Sequence, residues 1–412
     1  MKKILSKKIQ GLFLILSIIG PGLITVNAGN DAGGITTYAA VGATYGYQML
    51  WGLLLITFSL GIIQEMNARM AVVTGKGLAD LIREKFGVKL TLFAMGVLLV
   101  ANFGVVLGDF AGVAASMELF GTPRYLSVPL VAGLIWFLVT KGSYSRVEKV
   151  FLLFTFAFFG YIIAAFLARP DWGRVFQSMA TPTLKLEPAF LLTFIGMIGT
   201  TITPYMQFYL QSSIVDKHLT LEDFKYEKLD VYLGAFWGNA VSFFIIVCTA
   251  ATLFKAGLSI GSAQEAAVSL KPFAGPYASV LFGLGLFGAS VLAAAVIPLS
   301  TAYAICEAFG WESGVDHKYR DAPQFFGIFA ALIGLGSLFV LIPGLSLIRI
   351  ILVTQQIAGI LCPVILTFMI LLVNDKGIMG KYVNTPVQNI VSWVTVLFII
   401  ALSLILFMSP LL

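Results

Sequence analysis

Long apolar runs joined by short polar segments dominate this chain of 412 residues. Eleven runs have about the length of a helix that crosses a bilayer: 9–43, 47–73, 90–118, 126–140, 147–168, 188–214, 230–254, 275–308, 323–342, 347–373 and 390–410. Charged residues make up only 11% of the chain and hydrophobic residues 59%, whereas soluble domains carry about 25% charged residues. The sequence therefore predicts an all-α polytopic membrane protein with eleven transmembrane helices, and a short amphipathic surface helix over 76–86.

The placement of lysine and arginine predicts how the chain is oriented, because cytoplasmic loops carry the excess of these residues. With the N-terminus inside, all but seven of the 26 basic residues fall on the cytoplasmic side. The exceptions are Arg124, Arg169, Arg174, Lys185, Lys255, Lys271 and Arg349. We therefore expect a plasma-membrane protein with a cytoplasmic N-terminus and its C-terminus outside. The net charge of +6 fits loops that face anionic lipid, and we expect no nucleic-acid partner.

Several classes of protein are disfavoured by the loops and by the residue types. The longest polar stretch, 216–230, leaves no room for an ATPase or a receptor ectodomain. The three cysteines lie in separate apolar runs without metal-ligand spacing, and both histidines lie in charged loops. No nucleophile–base constellation or cofactor motif is visible. We therefore expect no enzyme and no resident cofactor, but a transporter that runs on a gradient and works as a monomer.

One carboxylate, Asp31, lies between the apolar parts of the first run and is surrounded by Gly29, Gly33 and Gly34. A carboxylate at membrane depth costs a few kcal/mol on insertion scales, and glycines are poor helix formers. The pattern predicts a helix that stops, exposes backbone carbonyls (Ala28 among them) beside the carboxylate, and restarts. Such breaks form the cation sites of secondary transporters.

A second break is predicted in the sixth run, where residues 196–207 read Gly-Met-Ile-Gly-Thr-Thr-Ile-Thr-Pro-Tyr-Met-Gln. Proline removes a backbone donor and clashes with the preceding turn. Breaks at matching positions of two five-helix halves indicate an inverted repeat with the site between the halves. We take 1–412 as a single transporter domain, with repeats over about 9–168 and 188–373 and an additional helix over 390–410. Kinks that only shape helix packing are the structural alternative.

A family resemblance is strongest in the first two spans. It rests on Gly-Pro-Gly at 20–22, Asp-Ala-Gly-Gly at 31–34, Gly-Ala-Thr-Tyr-Gly-Tyr at 42–47, Leu-Trp at 50–51, Asn-Ala-Arg at 67–69 and Thr-Gly-Lys-Gly-Leu-Ala-Asp at 74–80. The chain resembles the Nramp divalent-metal transporters, whose first-helix motif is Asp-Pro-Gly-Asn. The resemblance covers the whole chain. It implies a LeuT-like 5+5 inverted repeat with discontinuous helices 1 and 6, and ion coordination at the two breaks.

The departures from the family pattern concern the ion ligands. The ligand Asp is kept as Asp31, but the ligand Asn is replaced by Gly34. The family's Met-Pro-His in helix 6 is replaced by Thr203, Pro204 and Tyr205; a register anchored on 207–212 would put Pro204 at the Met position instead. On helix 3 the family's Asp-Leu-Ala-Glu becomes Asp-Phe-Ala-Gly at 109–112. The thioether ligand, the histidine and one acid tied to proton movement are all missing.

The remaining ligand candidates are oxygens: the Asp31 carboxylate, the Thr203 hydroxyl, and carbonyls with Ala28 and Thr200 favoured, while Gly34 adds space. Thioether sulfur favours softer ions, and Mg²⁺ keeps several waters and uses one or two carboxylates. The pattern resembles an Nramp-related magnesium-transporter subgroup that is not proton-coupled. We expect a facilitator that moves partly hydrated Mg²⁺, and also Mn²⁺, into the cytoplasm. A proton-coupled Mn²⁺/Fe²⁺ symporter, an amino-acid carrier on the same fold and an ion channel are the alternatives.

Further polar residues are expected at the cavity or in the outer coordination shell: Asn27, Asn30, Tyr205, Gln207, Asp109 and Gln356. The two asparagines either bond to waters that the ion retains or cap the break. Asp109 is either a carboxylate in the aqueous or proton path or a structural acid. Of the two glutamines in span 10, Gln356 is favoured over Gln355. Glu65 and Arg69 have the spacing of a helix ion pair, with an inner gate as the alternative.

Overall fold

The computed structural model describes residues 29–140, 159–315 and 319–408, and all regular secondary structure in these ranges is helical. We number the helices in chain order: α1 (Ala32–Tyr45), α2 (Leu50–Thr74), α3 (Leu78–Leu119), α4 (Arg124–Thr140), α5 (Phe159–Leu167), α6 (Trp172–Ala180), α7 (Pro188–Thr201), α8 (Pro204–Asp216), α9 (Phe224–Thr249), α10 (Ala263–Val268), α11 (Lys271–Ala274), α12 (Ala278–Phe309), α13 (Pro323–Val340), α14 (Leu347–Val373), α15 (Lys376–Met379) and α16 (Pro386–Met408).

Eight helical segments in the described ranges are long and apolar enough to cross a membrane, and the shorter apolar helix α4 accompanies them. Eight of the predicted runs coincide with one of these segments, counting α7 and α8 as the broken sixth run. The span predicted over 126–140 is α4. The first and fifth predicted runs lie partly outside the described residues, so the total of eleven stays a prediction. The segment Pro188–Asp216 is the most deeply buried of the eight and Pro386–Met408 the least.

The helix α3 is bent at Gly87, whose φ of 72° lies in the left-handed region that glycine adopts most readily. The bend separates a first part from Leu78 onwards, which contains Asp80, Arg83, Glu84 and Lys85, from the long apolar part. This agrees with the prediction of a short amphipathic helix over 76–86 next to a separate span.

The polar stretch 216–230 is only partly a loop, although its many charged residues favour a solvated one. The helix α9 already begins at Phe224, and Glu227 and Asp230 are 0% and 1% exposed. The two acids are three residues apart and share a face with Val231, which packs against Ala68 and Leu210. The first turns of α9 therefore form a packed helix surface and not a loop.

Close helix crossings place α14 at the centre of the bundle. α14 packs against both α3 and α7, and α3 also packs along α12. A Cβ on Gly199 of α7 would meet the backbone of α14 at Gln355 and Gly359, and a Cβ on Gly359 would meet the Ile195 carbonyl in return. Small residues let two membrane helices approach closely. This crossing fixes which face of α14 is directed at the two helix breaks.

Candidate cation site at the helix breaks

Asp31 is the N-cap of α1, directly at the first break. Its backbone is extended (φ −74°, ψ −171°), and its carboxylate accepts a hydrogen bond of 2.7 Å from the Gly34 amide. A carboxylate at a helix N-terminus is stabilised by the unpaired amides and by the helix dipole. The side chain is only 3% exposed. A helix start beside a buried acid is therefore present as predicted, and the apolar segment that precedes it lies outside the described residues.

Glycine is required at positions 33 and 34 because other groups of the protein approach the backbone closely there. A Cβ on Gly34 would lie 2.5 Å from the Gly29 carbonyl oxygen and 3.3 Å from the Thr200 hydroxyl. A Cβ on Gly33 would overlap the side-chain amide of Gln355 and lie 3.0 Å from Asp31 Oδ1. The Gly29 carbonyl, the Thr200 hydroxyl and the Gln355 amide thus all lie beside the Asp31 end of α1.

The second break separates α7 from α8 at Ile202 and Thr203, as predicted. The Thr203 hydroxyl donates to the carbonyls of Gly199 (2.9 Å) and Thr200 (3.2 Å), and the Cys362 thiol on α14 donates to the Ile202 carbonyl (2.9 Å). These bonds satisfy carbonyls that the break frees. Each carbonyl and the Thr203 oxygen keep a lone pair for a further partner. The sequence did not identify Cys362, because its contact with the break depends only on tertiary packing.

A second carboxylate, Asp109 of α3, faces the backbone of Ala32 and lies within electrostatic range of Asp31. Small residues make this approach possible, since a Cβ on Gly112 would overlap Ala32, and one on Gly108 would lie 2.8 Å from Thr354 Oγ1. Asp109 is 0% exposed, and neither of its oxygens has a hydrogen-bond partner of good geometry. Both acids therefore lie near the start of α1.

Three buried side chains near the breaks have polar atoms without partners: Asp109, both amide atoms of Gln355, and the hydroxyl of Tyr205. Tyr205 is fully buried at the start of α8, within electrostatic range of both acids. An unsatisfied buried polar group costs about 1–3 kcal/mol, so such groups normally hold water or an ion. Their convergence on Asp31 is what a site for a hydrated cation requires.

The other predicted residues are placed as follows. Asn30 is directed at Ser242 of α9 (3.5 Å), and Gln207 accepts a bond of 2.6 Å from Asn67 of α2. Ala28 and Asn27 lie outside the described residues. Of the two glutamines, Gln355 lies against Gly33, whereas Gln356 lines a cavity together with Thr37 and Gly196, so the preference for Gln356 at the site stays a prediction. The crossing of α7 and α14 sets this orientation, and a helix that is apolar nearly all round gives no periodic signal for it.

Glu65 and Arg69 form the predicted ion pair at 3.2 Å, with side chains only 3% and 6% exposed. Arg69 also donates to the carbonyls of Tyr382 and Val383 and to the Asn384 side chain. The pair therefore ties α2 to the segment between α14 and α16. This network has a structural role in holding the two together.

The donor set around Asp31 consists of oxygens and one amide. The candidates that could contact a cation are the Asp31 carboxylate, the Gly29 carbonyl, the Thr200 hydroxyl and the Gln355 side-chain amide, whose oxygen would have to turn towards the ion, with Asp109 adding negative charge. Within the described ranges, no three His, Cys, Asp or Glu side chains come together as a metal cluster. Oxygen ligands with few carboxylates are typical of sites for hard divalent cations that keep part of their water.

A bundle of membrane helices in which a buried acid at a helix start lies near a break in a second helix is typical of a secondary transporter of the broken-helix type. Comparisons with known proteins agree with this class. The sequence model of the family "Natural resistance-associated macrophage protein-like" (Nramp) matches residues 22–409. The chain belongs to the Nramp family, as its sequence motifs predicted.

Two relatives have the name divalent metal cation transporter MntH. The protein from Bacillus subtilis is 25% identical over 98% of this chain and 94% of its own length. The protein from Erwinia tasmaniensis is 26% identical over 94% and 93%. Because these relatives are transporters, the prediction that the chain is not an enzyme is confirmed.

Solved structures confirm the fold. The manganese transporter of Eremococcus coleocola, in complex with an aromatic bis-isothiourea compound, superposes with a TM-score of 0.76 at 18% identity, covering 96% of this chain and 87% of that one. The nucleobase-cation-symport-1 transporter Mhp1 superposes with a TM-score of 0.51 at 15% identity, covering 95% and 93%. The fold is therefore LeuT-like.

Proposed function

We propose that this protein is a facilitator that moves Mg²⁺, and also Mn²⁺, into the cytoplasm as partly hydrated ions. The observation that carries the proposal is the buried carboxylate Asp31 at a helix break, surrounded by unpartnered oxygen groups on three other helices. The names of the relatives support a divalent metal as the cargo. Position 203 holds threonine and so offers no thioether, which supports a preference for harder ions such as Mg²⁺.

Two carboxylates at one buried site support a divalent cargo. Asp31 and Asp109 lie within electrostatic range of each other. Like charges in a poorly polarisable interior repel strongly. An ion with two positive charges neutralises both. The close approach of Gly34 to Gly29 limits space on one side, so the ion would meet the protein through Asp31 and nearby oxygens and keep water elsewhere.

The energy source is the ion gradient together with the membrane potential. Two charges that fall through 100 mV release about 4.6 kcal/mol, enough for about a 10³-fold accumulation. Position 205 holds tyrosine and position 112 glycine, so neither supplies a proton-accepting side chain there. We therefore favour a mechanism in which transport is not coupled to protons.

Liposome uptake tests this proposal. Purified protein is reconstituted, and Mg²⁺ and Mn²⁺ influx is recorded with an ion-sensitive dye beside a lumenal pH dye, at an imposed potassium diffusion potential. We expect uptake of both ions that grows with the potential, without lumenal acidification. Proton influx in proportion to Mg²⁺ would exclude the uncoupled mechanism.

A proton-coupled Mn²⁺ symporter is the second candidate, and Asp109 is the residue that favours it. A buried acid without a hydrogen-bond partner can hold a proton when no cation is near. In this case the pH dye would respond to Mn²⁺ uptake, and Asp109→Asn would abolish the response while leaving some Mn²⁺ flux.

We further propose that the protein lies in the plasma membrane as a monomer, with the N-terminus in the cytoplasm. The bias of basic residues supports this orientation. All three native cysteines are buried, so single cysteines introduced at exposed positions can be labelled selectively. In intact cells, Lys255→Cys is expected to react with an impermeant maleimide and Lys376→Cys only after lysis. The reverse pattern would invert the topology.

A further inference from the structure

A groove lies between α3, α13 and α14 on the surface of the helix bundle. It has a volume of about 390 Å³. Apolar side chains form most of its lining: Val100, Phe103 and Leu107 of α3, Phe339 of α13, and Val353 and Ile357 of α14. Four of these side chains, those of Val100, Phe339, Val353 and Ile357, are between 37% and 56% exposed. Because all three helices are long and apolar enough to cross a membrane, the groove opens towards lipid.

The groove and the cation site lie on opposite faces of the same two helices. On α3, the groove residue Leu107 is two residues before Asp109, and on α14 the groove residue Val353 is two residues before Gln355. A step of two residues turns the side-chain direction on a helix by about 200°. A ligand in the groove would therefore pack against the backs of the two helix segments that carry Asp109 and Gln355.

Small residues form the floor of the groove. A Cβ on Gly104 of α3 would lie 3.6 Å from the Cβ of Thr354 on α14, which is an ordinary van der Waals contact. One turn further along α3, a Cβ on Gly108 would lie 2.8 Å from the Thr354 hydroxyl. Because glycine and threonine are small, the two helices approach closely and leave a depression at their crossing. The Thr354 hydroxyl already donates to the Ile351 carbonyl (2.8 Å), so this floor needs no polar ligand.

One end of the groove carries a positive charge. Arg349, in the first turn of α14, is the only charged residue among the described residues that line the groove. Within the described ranges its guanidinium forms no ion pair, and a guanidinium binds phosphate well. From Arg349 to Ile357 the groove follows eight residues of α14, or about 12 Å, and one leaflet of hydrocarbon is about 15 Å thick. The groove therefore runs from the level of the lipid headgroups nearly to the middle of the bilayer.

We propose that this groove binds an anionic phospholipid, with one acyl chain lying along α3 and α14 and the phosphate at Arg349. In the proposed orientation the lipid belongs to the outer leaflet. A zwitterionic headgroup would bring a second cation to Arg349, so an anionic lipid is favoured. The proposal concerns a ligand other than the transported ion, and so it goes beyond the proposed function. A lipid held there stabilises the crossing of α3 and α14, whose other faces carry Asp109 and Gln355.

Native mass spectrometry of the purified full-length protein, titrated with dioleoyl phosphatidylglycerol in detergent, tests the proposal. We expect one lipid to bind per protein molecule with saturation, and dioleoyl phosphatidylcholine to bind at least about threefold more weakly. Arg349→Gln removes the charge and should raise the Kd for phosphatidylglycerol by about tenfold. Gly104→Leu puts a side chain into the groove while its Cβ meets Thr354 at an ordinary distance. It should raise the same Kd by at least about tenfold.

Gly96→Leu and Lys271→Gln are the matched controls. Gly96 lies on α3 outside the groove, and nothing lies within 4 Å of a Cβ built there. Lys271 is an exposed cation on the same predicted side of the membrane as Arg349. Both controls should bind phosphatidylglycerol as the wild type does. Melting temperatures establish that each variant is folded. Val353→Phe, which narrows the groove from its exposed wall, replaces Gly104→Leu if that variant does not fold, and should weaken binding in the same way.

Inorganic phosphate distinguishes a lipid from a free anion at Arg349. We expect a large excess of it to leave phosphatidylglycerol bound, because the acyl chain makes apolar contacts that phosphate cannot make. Displacement of the lipid by inorganic phosphate would indicate a simple anion site and overturn the proposal. Equal Kd values for the wild type, Arg349→Gln and a folded groove variant would also overturn it, since the lipid would then bind the bundle without a defined site.

Discussion

Gly34→Ala adds one methyl group at the tightest point of the site. The new Cβ would lie 2.5 Å from the Gly29 carbonyl oxygen, whereas ordinary contacts begin at 3.4 Å. Either α1 or the Gly29 peptide must therefore move by about 0.9 Å, and both belong to the break. Overpacking of this kind costs about 1–3 kcal/mol. At about 1.4 kcal/mol per factor of ten, we expect Mg²⁺ uptake to fall by roughly 5- to 150-fold.

Initial rates of Mg²⁺ uptake into liposomes measure this effect, with Gly96→Ala as the matched control. Gly96 lies within α3, and nothing lies within 4 Å of a Cβ built there. This control should transport normally and gain up to about 1 kcal/mol of stability from its better helix propensity. Gly33→Ala should fall between the two, since the groups that must move are the flexible end of Gln355 and, slightly, the Asp31 carboxylate, and no backbone. Equal rates for Gly34→Ala and Gly96→Ala would refute the close-approach argument.

Three further changes test other parts of the structure. Gln355→Leu removes an unpartnered amide beside Asp31 at similar volume, and should lower Mg²⁺ uptake by about tenfold without changing the melting temperature. Asp109→Asn removes one of two charges that face the ion, and should raise the KM for Mg²⁺ by at least about tenfold; an unchanged KM would make Asp109 structural. Arg69→Met leaves the buried Glu65 without its cationic partner, with only the hydrogen bond from Gln388, and this costs about 3–5 kcal/mol. The melting temperature should fall, with partial recovery in Glu65→Gln/Arg69→Met.

The helix breaks could be predicted from the sequence because their causes are local. Glycines beside Asp31 and the Thr-Pro step at 203–204 disfavour a continuous helix wherever the segment packs. The N-cap of Asp31 on the Gly34 amide likewise involves residues within one turn. The pairing of the two breaks came from the family resemblance, because the two halves of the chain show no visible sequence identity.

The partners of the breaks could not be predicted, because they depend on contacts between distant segments. Gln355 and Gln356 are adjacent in α14, a helix that is apolar nearly all round. Only the crossing of α14 with α7 at Gly199 decides which of the two side chains lies against Gly33, beside Asp31. The Cys362 thiol finds the Ile202 carbonyl through the same crossing. The buried acids Glu227 and Asp230 did carry a signal, since they share helical spacing with Val231 and Gly234.

The central claim is that Asp31 holds a hard divalent cation at the first helix break. Mg²⁺ uptake into liposomes by the wild type and by Asp31→Asn tests it most directly, because the variant keeps the size of the side chain and loses the charge. We predict potential-driven Mg²⁺ uptake by the wild type and none above protein-free liposomes for a folded Asp31→Asn. Uptake by Asp31→Asn at the wild-type rate and KM would contradict the account.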